Sequence, residues 1–178
     1  MAYKITTIEH TCFPTTKNVN DSITEFNITN IEILSIINDF VCNESPQIGR
    51  GYQQEIAWHL EDHLKSKICA GFNLVSRFEK YSNKLNEMPD LELVKEGKKE
   101  RIFFELEFRP NVEKDLIKFQ IGFNNGRLAL GVLIVALDRD TINPSYTTMP
   151  QYNKVKNLID ELKPLYPLLL IGISGAHV

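Results

Sequence analysis

Two glutamates lie two positions apart inside an otherwise apolar stretch, RIFFELEFRPN, residues 101–111. Because side chains alternate along a β-strand, Glu105 and Glu107 would point to the same face of a sheet. An ionised carboxylate that leaves water costs several kcal/mol unless something compensates for it. The pattern therefore predicts a positive group close to these two side chains.

A third carboxylate, Asp90, precedes this stretch by fourteen intervening residues up to Glu105. Two extended segments, 90–94 and 102–108, flank the polar run KEGKKE, whose glycine and charges suit a hairpin turn. In an antiparallel hairpin the Asp90 carboxylate would meet those of the two glutamates. Three acids are then expected to converge at an edge of the sheet.

Converging carboxylates repel one another and raise their own pKa values unless a cation is present. Oxygen-only ligands favour a hard ion such as Mg²⁺, which keeps several waters and often binds substrate phosphate as well. The chemistry that this predicts is metal-assisted attack of water on a phosphodiester. The alternative is that Glu105 and Glu107 lie on the solvent face of an edge strand, paired with Lys95, Lys98 or Lys99 of the turn.

The bulk composition is that of one globular domain, which we take to span residues 1–178 with a catalytic core at about 50–140. The chain has 43% hydrophobic and 24% charged residues, ordinary values that exclude disordered and collagen-like classes. Its formal net charge of −3 argues against a purely electrostatic DNA coat. An enzyme that encloses DNA in a local basic cleft remains compatible with that charge.

The predicted location is the cytoplasm. The longest apolar runs fall well short of the roughly 20 residues that span a bilayer, and the N-terminus lacks the pattern of an export signal. Three cysteines, an odd number without metal-ligand spacing, predict reduced thiols. No membrane partner is expected.

The elements that must position the acids form an α/β fold, a mixed β-sheet flanked by helices. The buried strand LGVLIVAL follows a predicted helix, which itself follows the strand of the two glutamates, so the three make a parallel βαβ unit. Residues 1–30 show no clear pattern. The predicted helices are 30–40, 51–68, 111–125 and 152–165, and the predicted strands are 72–78, 90–94, 102–108, 130–137 and 166–174.

Pro89 and Asp90, followed after fourteen residues by ELEF, resemble the PD-(D/E)xK nuclease motif. The sequel, ELEFRPNVEKDLIKFQIGFNNGRLALGVLIV, is similar to the corresponding part of type II restriction endonucleases of the BglII/BamHI kind. The resemblance covers about 50 residues, Pro89–Leu137. It implies a restriction-endonuclease-like core in a Mg²⁺-dependent homodimer that cuts double-stranded DNA at a short, palindromic site.

The resemblance also implies roles for individual acids. Asp90 and Glu105 would be metal ligands. Glu107 replaces the usual lysine of the motif, as in the Glu-x-Glu subgroup, and would be a metal ligand or the general base for the attacking water. Glu55 resembles the helical acid that supports such sites and is a further catalytic candidate. Glu92 would take the place of Asp90 if the hairpin register were shifted.

The candidate DNA contacts lie in two segments that follow predicted strands. Arg109 suits phosphate or guanine because a guanidinium offers a rigid donor fork. Asn111 has an alternative reading as the N-cap of the next helix. The remaining candidates are Lys114, Lys118, Arg139, Asn143, Ser145, Thr147, Thr148 and Gln151.

Three functions follow from these readings. The first is a type II restriction endonuclease. The second is a repair or junction-resolving nuclease on the same fold, and the third is a non-catalytic DNA-binding module that kept the fold.

Overall fold

A computed structural model describes residues 3–13, 22–23, 28–44, 61–66, 72–76, 89–107, 112–136 and 148–177. Within these ranges the strands are β1 Tyr3–Phe13, β2 Ser22–Ile23, β3 Ile28–Thr29, β4 Phe72–Ser76, β5 Leu91–Lys95, β6 Arg101–Glu107, β7 Leu128–Ala136 and β8 Leu168–His177. The helices are α1 Asn30–Glu44, α2 at 61–66, α3 Glu113–Asn124 and α4 Thr148–Leu162.

Six of the strands form one mixed sheet in the order β1-β8-β7-β6-β5-β4. The three central strands β6, β7 and β8 are parallel, whereas β5 pairs antiparallel with both β4 and β6, and β1 pairs antiparallel with β8. The predicted mixed α/β sheet is therefore confirmed, as are the hairpin of β5 and β6 and the βαβ unit of β6, α3 and β7. The strand β1, in the segment that showed no clear pattern, was not predicted.

Helices cover both faces of this sheet. Along β6, Ile102, Phe104 and Leu106 pack with Ile33 of α1 in one buried cluster. Phe103 points to the opposite face, where it packs in a second cluster with side chains of α3 and α4. Because side chains alternate along a strand, Glu105 and Glu107 lie on the same face as Phe103, beneath α3.

The helix α3 lies directly against β6. A methyl group added at Gly122 would be 2.6 Å from Cε2 of Phe103, so the backbone of α3 approaches that ring as closely as only glycine permits. Gly126, with a φ of 64°, then ends the helix, as the sequence predicted. This close approach brings the polar side chains of α3 within reach of the glutamates on β6.

Two of the predicted helix starts were wrong. The helix α4 begins at Thr148 rather than at Tyr152, so Thr148 and Gln151 are helical rather than loop residues. Pro150 was read as part of the loop, yet proline is tolerated in the first turn of a helix, where its missing N–H has no partner to lose. The residue that caps α3 is Val112, without a side-chain capping bond, rather than Asn111.

None of the helices in the described ranges is long and apolar enough to cross a membrane.

Candidate active site

The register of the β5–β6 hairpin places Asp90 beside Glu105. Leu91 pairs with Phe104 and Glu92 with Phe103, so Asp90, immediately before β5, comes opposite Glu105. The Oδ2 atom of Asp90 accepts a hydrogen bond of 2.9 Å from the backbone N–H of Leu106. The carboxylate of Asp90 is thereby held against the strand that carries the two glutamates.

Glu105 is buried in the interior of the protein, with 1% of its surface exposed. Both of its carboxylate oxygens accept hydrogen bonds of 3.0 Å from Nζ of Lys118, which projects from α3. The alternative that placed Glu105 on the solvent face of an edge strand is wrong, because β6 lies between β5 and β7 and the helix covers it. Lys118, expected among the DNA contacts, thus provides a positive group beside this buried carboxylate.

Asp115 is a fourth carboxylate at this site, and sequence reasoning missed it. Only 3% of its side chain is exposed, and its Oδ1 accepts a hydrogen bond of 3.2 Å from Lys118, one turn along α3. Its position three residues after Val112 and four before Phe119 places it on the apolar stripe of the helix, where an acid needs a partner. An acidic residue at an apolar position of the helix pattern was the sequence signal that could have identified Asp115.

Burial and the neighbouring acids raise the pKa of three carboxyl groups in this cluster, those of Asp90, Glu105 and Glu107. Burial raises the pKa of Asp90, while the Leu106 N–H and the Lys118 charge oppose the rise. Burial also raises the pKa of Glu105 well above its ordinary value, with Asp90 and Asp115 adding to the rise and Lys118 opposing it. When these carboxyl groups are ionised, their combined negative charge exceeds the single positive charge of Lys118.

Glu107 interacts most strongly with Asp115. Burial, the Asp115 charge and a hydrogen bond between the two carboxyl groups raise the pKa of Glu107 to about 8. The Oδ2 atom of Asp115 is buried and has no hydrogen-bond partner.

The donor chemistry of this cluster fits a hard divalent cation. Four carboxyl groups face one ammonium, and Asp115 contributes a buried oxygen that lacks a donor. Among the described residues no three His, Cys, Asp or Glu side chains are arranged so that they alone could hold a metal ion. Mg²⁺ does not require such a cage, because it is commonly bound by one or two carboxylates together with waters and substrate phosphates. The adjacent Asp90 and Glu105 meet that smaller requirement.

Glu92, the competitor of Asp90, has other partners. It is fully buried and accepts contacts of 2.8 Å from Arg101 and 3.2 Å from Arg127. The hairpin register pairs it with Phe103, two pairs further from the glutamates than Asp90. Two guanidinium groups thus neutralise Glu92, whose place in the structure is that of a buried ion-pair centre.

Glu92→Ala is expected to destabilise the protein by about 3–5 kcal/mol, because it leaves two partly buried guanidinium groups without their shared carboxylate. The free energy of unfolding in urea measures this effect. The matched control is Glu96→Ala in the exposed turn of the same hairpin, for which a change within about 0.5 kcal/mol is expected. Equal stability of the two variants would show that the Glu92 network contributes little.

The other predicted site residues are placed as follows. Lys114 is exposed on α3, and Thr148 is the first residue of α4. The remaining candidates lie outside the described residues: Glu55, Arg109, Asn111, Arg139, Asn143, Ser145 and Thr147.

Comparisons with known proteins point to one family. A family model described as restriction endonuclease BglII/BglIII matches residues 7–173. No curated protein sequence gives a significant match. Among solved structures, the crystal structure of free BglII aligns with a TM-score of 0.49 at 9% sequence identity, over 94% of this chain and 79% of that one. The family match spans nearly the whole chain, and on that ground the chain belongs to the BglII/BglIII family of restriction endonucleases.

Proposed function

We propose that this restriction endonuclease is a Mg²⁺-dependent type II enzyme that hydrolyses both strands of double-stranded DNA at a short palindromic site. Its family acts on DNA. The observation that carries the catalytic assignment is the position of Asp90 beside Glu105, where the N–H of Leu106 and the ammonium of Lys118 hold the two carboxylates. We place the enzyme in the cytoplasm, in keeping with its cysteine usage.

In this proposal Asp90 and Glu105 hold the ion. When bound, Mg²⁺ would supply a more acidic water and neutralise charge at the scissile phosphate. Glu107 is half-buried whereas Glu105 is closed off, so Glu107 is the glutamate that solvent water reaches. We therefore assign to Glu107 the role of accepting the proton of the attacking water. The backbone N–H of Leu106 orients the Asp90 carboxylate by a hydrogen bond to its Oδ2.

Most of the proposed DNA contacts follow strands β6 and β7 in the sequence. Strands β6 and β7 are parallel, and Glu107 pairs with Val135 near the end of both. The segments that follow these two strands in the sequence carry most of the candidate residues. These are Arg109, Asn111, Arg139, Asn143, Ser145 and Thr147, with Thr148 at the start of α4 and Lys114 on the exposed side of α3.

We propose a homodimer with one acidic cluster in each subunit. One such cluster cuts one strand, so cutting both strands of a duplex in one encounter takes two subunits. Two-fold symmetry in the protein then matches two-fold symmetry in the DNA, which is why we propose a palindromic site.

Incubating the purified protein with unmodified phage DNA and Mg²⁺ tests this function. Discrete bands are expected on a gel, because a site-specific enzyme yields fragments of fixed length. A continuous smear would contradict site specificity and favour a repair nuclease of the same fold. Intact DNA would contradict the nuclease activity itself.

A further inference from the structure

The ammonium of Lys118 is fully engaged by carboxylate oxygens. A lysine ammonium has three N–H donors. In the structure its Nζ lies 3.0 Å from each oxygen of Glu105 and 3.2 Å from Oδ1 of Asp115. Only 14% of the Lys118 side chain is exposed. Lys118 is therefore a component of the acidic cluster and not a mobile surface lysine.

Charge at the cluster is out of balance even with Lys118 in place. Although burial works against the charged form, Glu105 and Asp115 raise the pKa of Lys118, so the ammonium stays charged. Its single positive charge faces Asp90, Glu105 and Asp115 as well as Glu107. An approaching phosphodiester, itself negative, meets Lys118 as the only cation that contacts these acids within the described residues.

Asp115 is buried on α3 and accepts a hydrogen bond from the Lys118 ammonium. It lies on the buried face of α3 with Leu116, Phe119 and Gly122, and the approach of Gly122 to Phe103 fixes the helix above β6. Its second oxygen, Oδ2, is buried without a donor partner. Buried polar atoms are normally satisfied, and an exception points to a ligand or a functional constraint.

We propose that Lys118 is a catalytic residue that contacts the scissile phosphate, and that Asp115 is a positioning residue that retains the Lys118 ammonium when Glu105 takes up a divalent ion. This inference rests on the proposed function. An ion at Glu105 would compete with the Lys118 ammonium for the lone pairs of that carboxylate and repel the ammonium, which would weaken the hold of Glu105 on it. Because its Nζ lies 3.0 Å from both oxygens of Glu105, the ammonium would be adjacent to a phosphate bound at that ion.

The role of Lys118 in the reaction is electrostatic. The oxygen of water forms the new bond to phosphorus, and the bond from phosphorus to the leaving sugar oxygen breaks. The proton of the water goes to Glu107, and the leaving oxygen takes its proton from solvent. Lys118 transfers no proton, and its N–H groups stabilise the charge that develops on the phosphate oxygens.

Lys118→Met, which keeps the length of the stem and removes the charge, tests this proposal. We expect the single-turnover cleavage rate with Mg²⁺ to fall by about 10²–10³-fold, the magnitude typical for loss of one stabilising donor. DNA binding without metal should change much less. Mn²⁺ binding without DNA, followed by calorimetry, should tighten by about tenfold or more, because a competing positive charge has been removed. Tighter Mn²⁺ binding together with an unchanged cleavage rate would mark Lys118 as a structural ion-pair partner of Glu105.

Three further variants cover the case that Lys118→Met is not folded and test whether Asp115 positions the ammonium. Lys118→Gln removes the charge but keeps a hydrogen-bond donor, and it replaces Lys118→Met if thermal unfolding shows that the methionine variant is not folded. Asp115→Asn retains an oxygen for Lys118 and should keep most of the cleavage activity, whereas Asp115→Ala should fall toward the rate of Lys118→Met. Equal rates for Asp115→Ala and the wild type would remove the positioning role.

The control is Lys154→Met on the exposed side of α4, for which wild-type cleavage and wild-type Mn²⁺ affinity are expected. Wild-type cleavage by the folded Lys118 variants would overturn the catalytic role of Lys118, and unchanged Mn²⁺ affinity in them would overturn its competition with the ion at Glu105. The nuclease function stands in either case. Absence of cleavage by the wild-type protein would instead overturn the proposed function, and with it the contact of Lys118 with the phosphate.

Discussion

Replacing Asp90 or Glu105 by alanine is expected to abolish DNA cleavage, with a loss of at least about 10³-fold, while DNA binding remains measurable. Each variant removes one of the two carboxylates that we propose to hold Mg²⁺, and with it the activation of water and the charge neutralisation that the ion supplies. Binding depends mainly on contacts to the phosphate backbone elsewhere, which these substitutions leave in place. Plasmid nicking under single-turnover conditions and gel-shift assays measure the two effects separately.

Glu113→Ala is the matched control for this pair. Glu113 is an exposed acid in the first turn of α3, close in sequence to the site but outside the cluster, and cleavage close to the wild-type rate is expected. Asp90→Asn adds a second check, since its amide oxygen can still accept the Leu106 N–H while the charge is lost. Full activity in either alanine variant would remove the proposed metal site.

Chelation of divalent cations should reduce DNA cleavage as strongly as the loss of Asp90 or Glu105. Without an added ion, the excess of carboxyl groups around Lys118 repels the DNA phosphate, and nothing lowers the pKa of the attacking water. Cleavage is therefore expected to stop in EDTA and to return when Mg²⁺ is added in excess. A titration of cleavage rate against free Mg²⁺ measures the requirement.

The same ion should stabilise the fold. Because Mg²⁺ would bind the native cluster and not the unfolded chain, the melting temperature should rise with Mg²⁺ concentration. In Glu105→Ala that rise should be much smaller. Undiminished cleavage in EDTA, or an identical Mg²⁺ response in the variant, would contradict a metal site at these residues.

The parts of the fold that were predictable from sequence are those with local signals. The hairpin was readable because Gly97, which adopts a φ of 76°, and its charged neighbours separate two short apolar segments. The βαβ unit was readable because the continuous run of β7 requires cover on both faces, which α1 and α3 provide. The pairing of β1 with β8 joins the two ends of the chain, and no local pattern encodes such a contact.

Some contacts of the candidate site were likewise predictable from local sequence patterns, and others were not. The proximity of Asp90 and Glu105 could be predicted from the sequence because strand alternation and hairpin pairing are regular. The contact of Lys118 with Glu105 depends on how α3 docks on β6, which is set by the packing of Phe103 against Gly122. For that reason the sequence indicated a cation near the glutamates but placed Lys118 among the DNA contacts. Asp115 was not among the residues predicted for the site.

Diffraction from crystals of the protein with DNA and Mn²⁺ would test the central claim most directly, since Mn²⁺ scatters anomalously and replaces Mg²⁺ at oxygen sites. We predict an anomalous peak at about 2 Å from carboxylate oxygens of both Asp90 and Glu105, next to a DNA phosphate. A structure with Lys118 still bound to both oxygens of Glu105, and the Mn²⁺ elsewhere or absent, would contradict it.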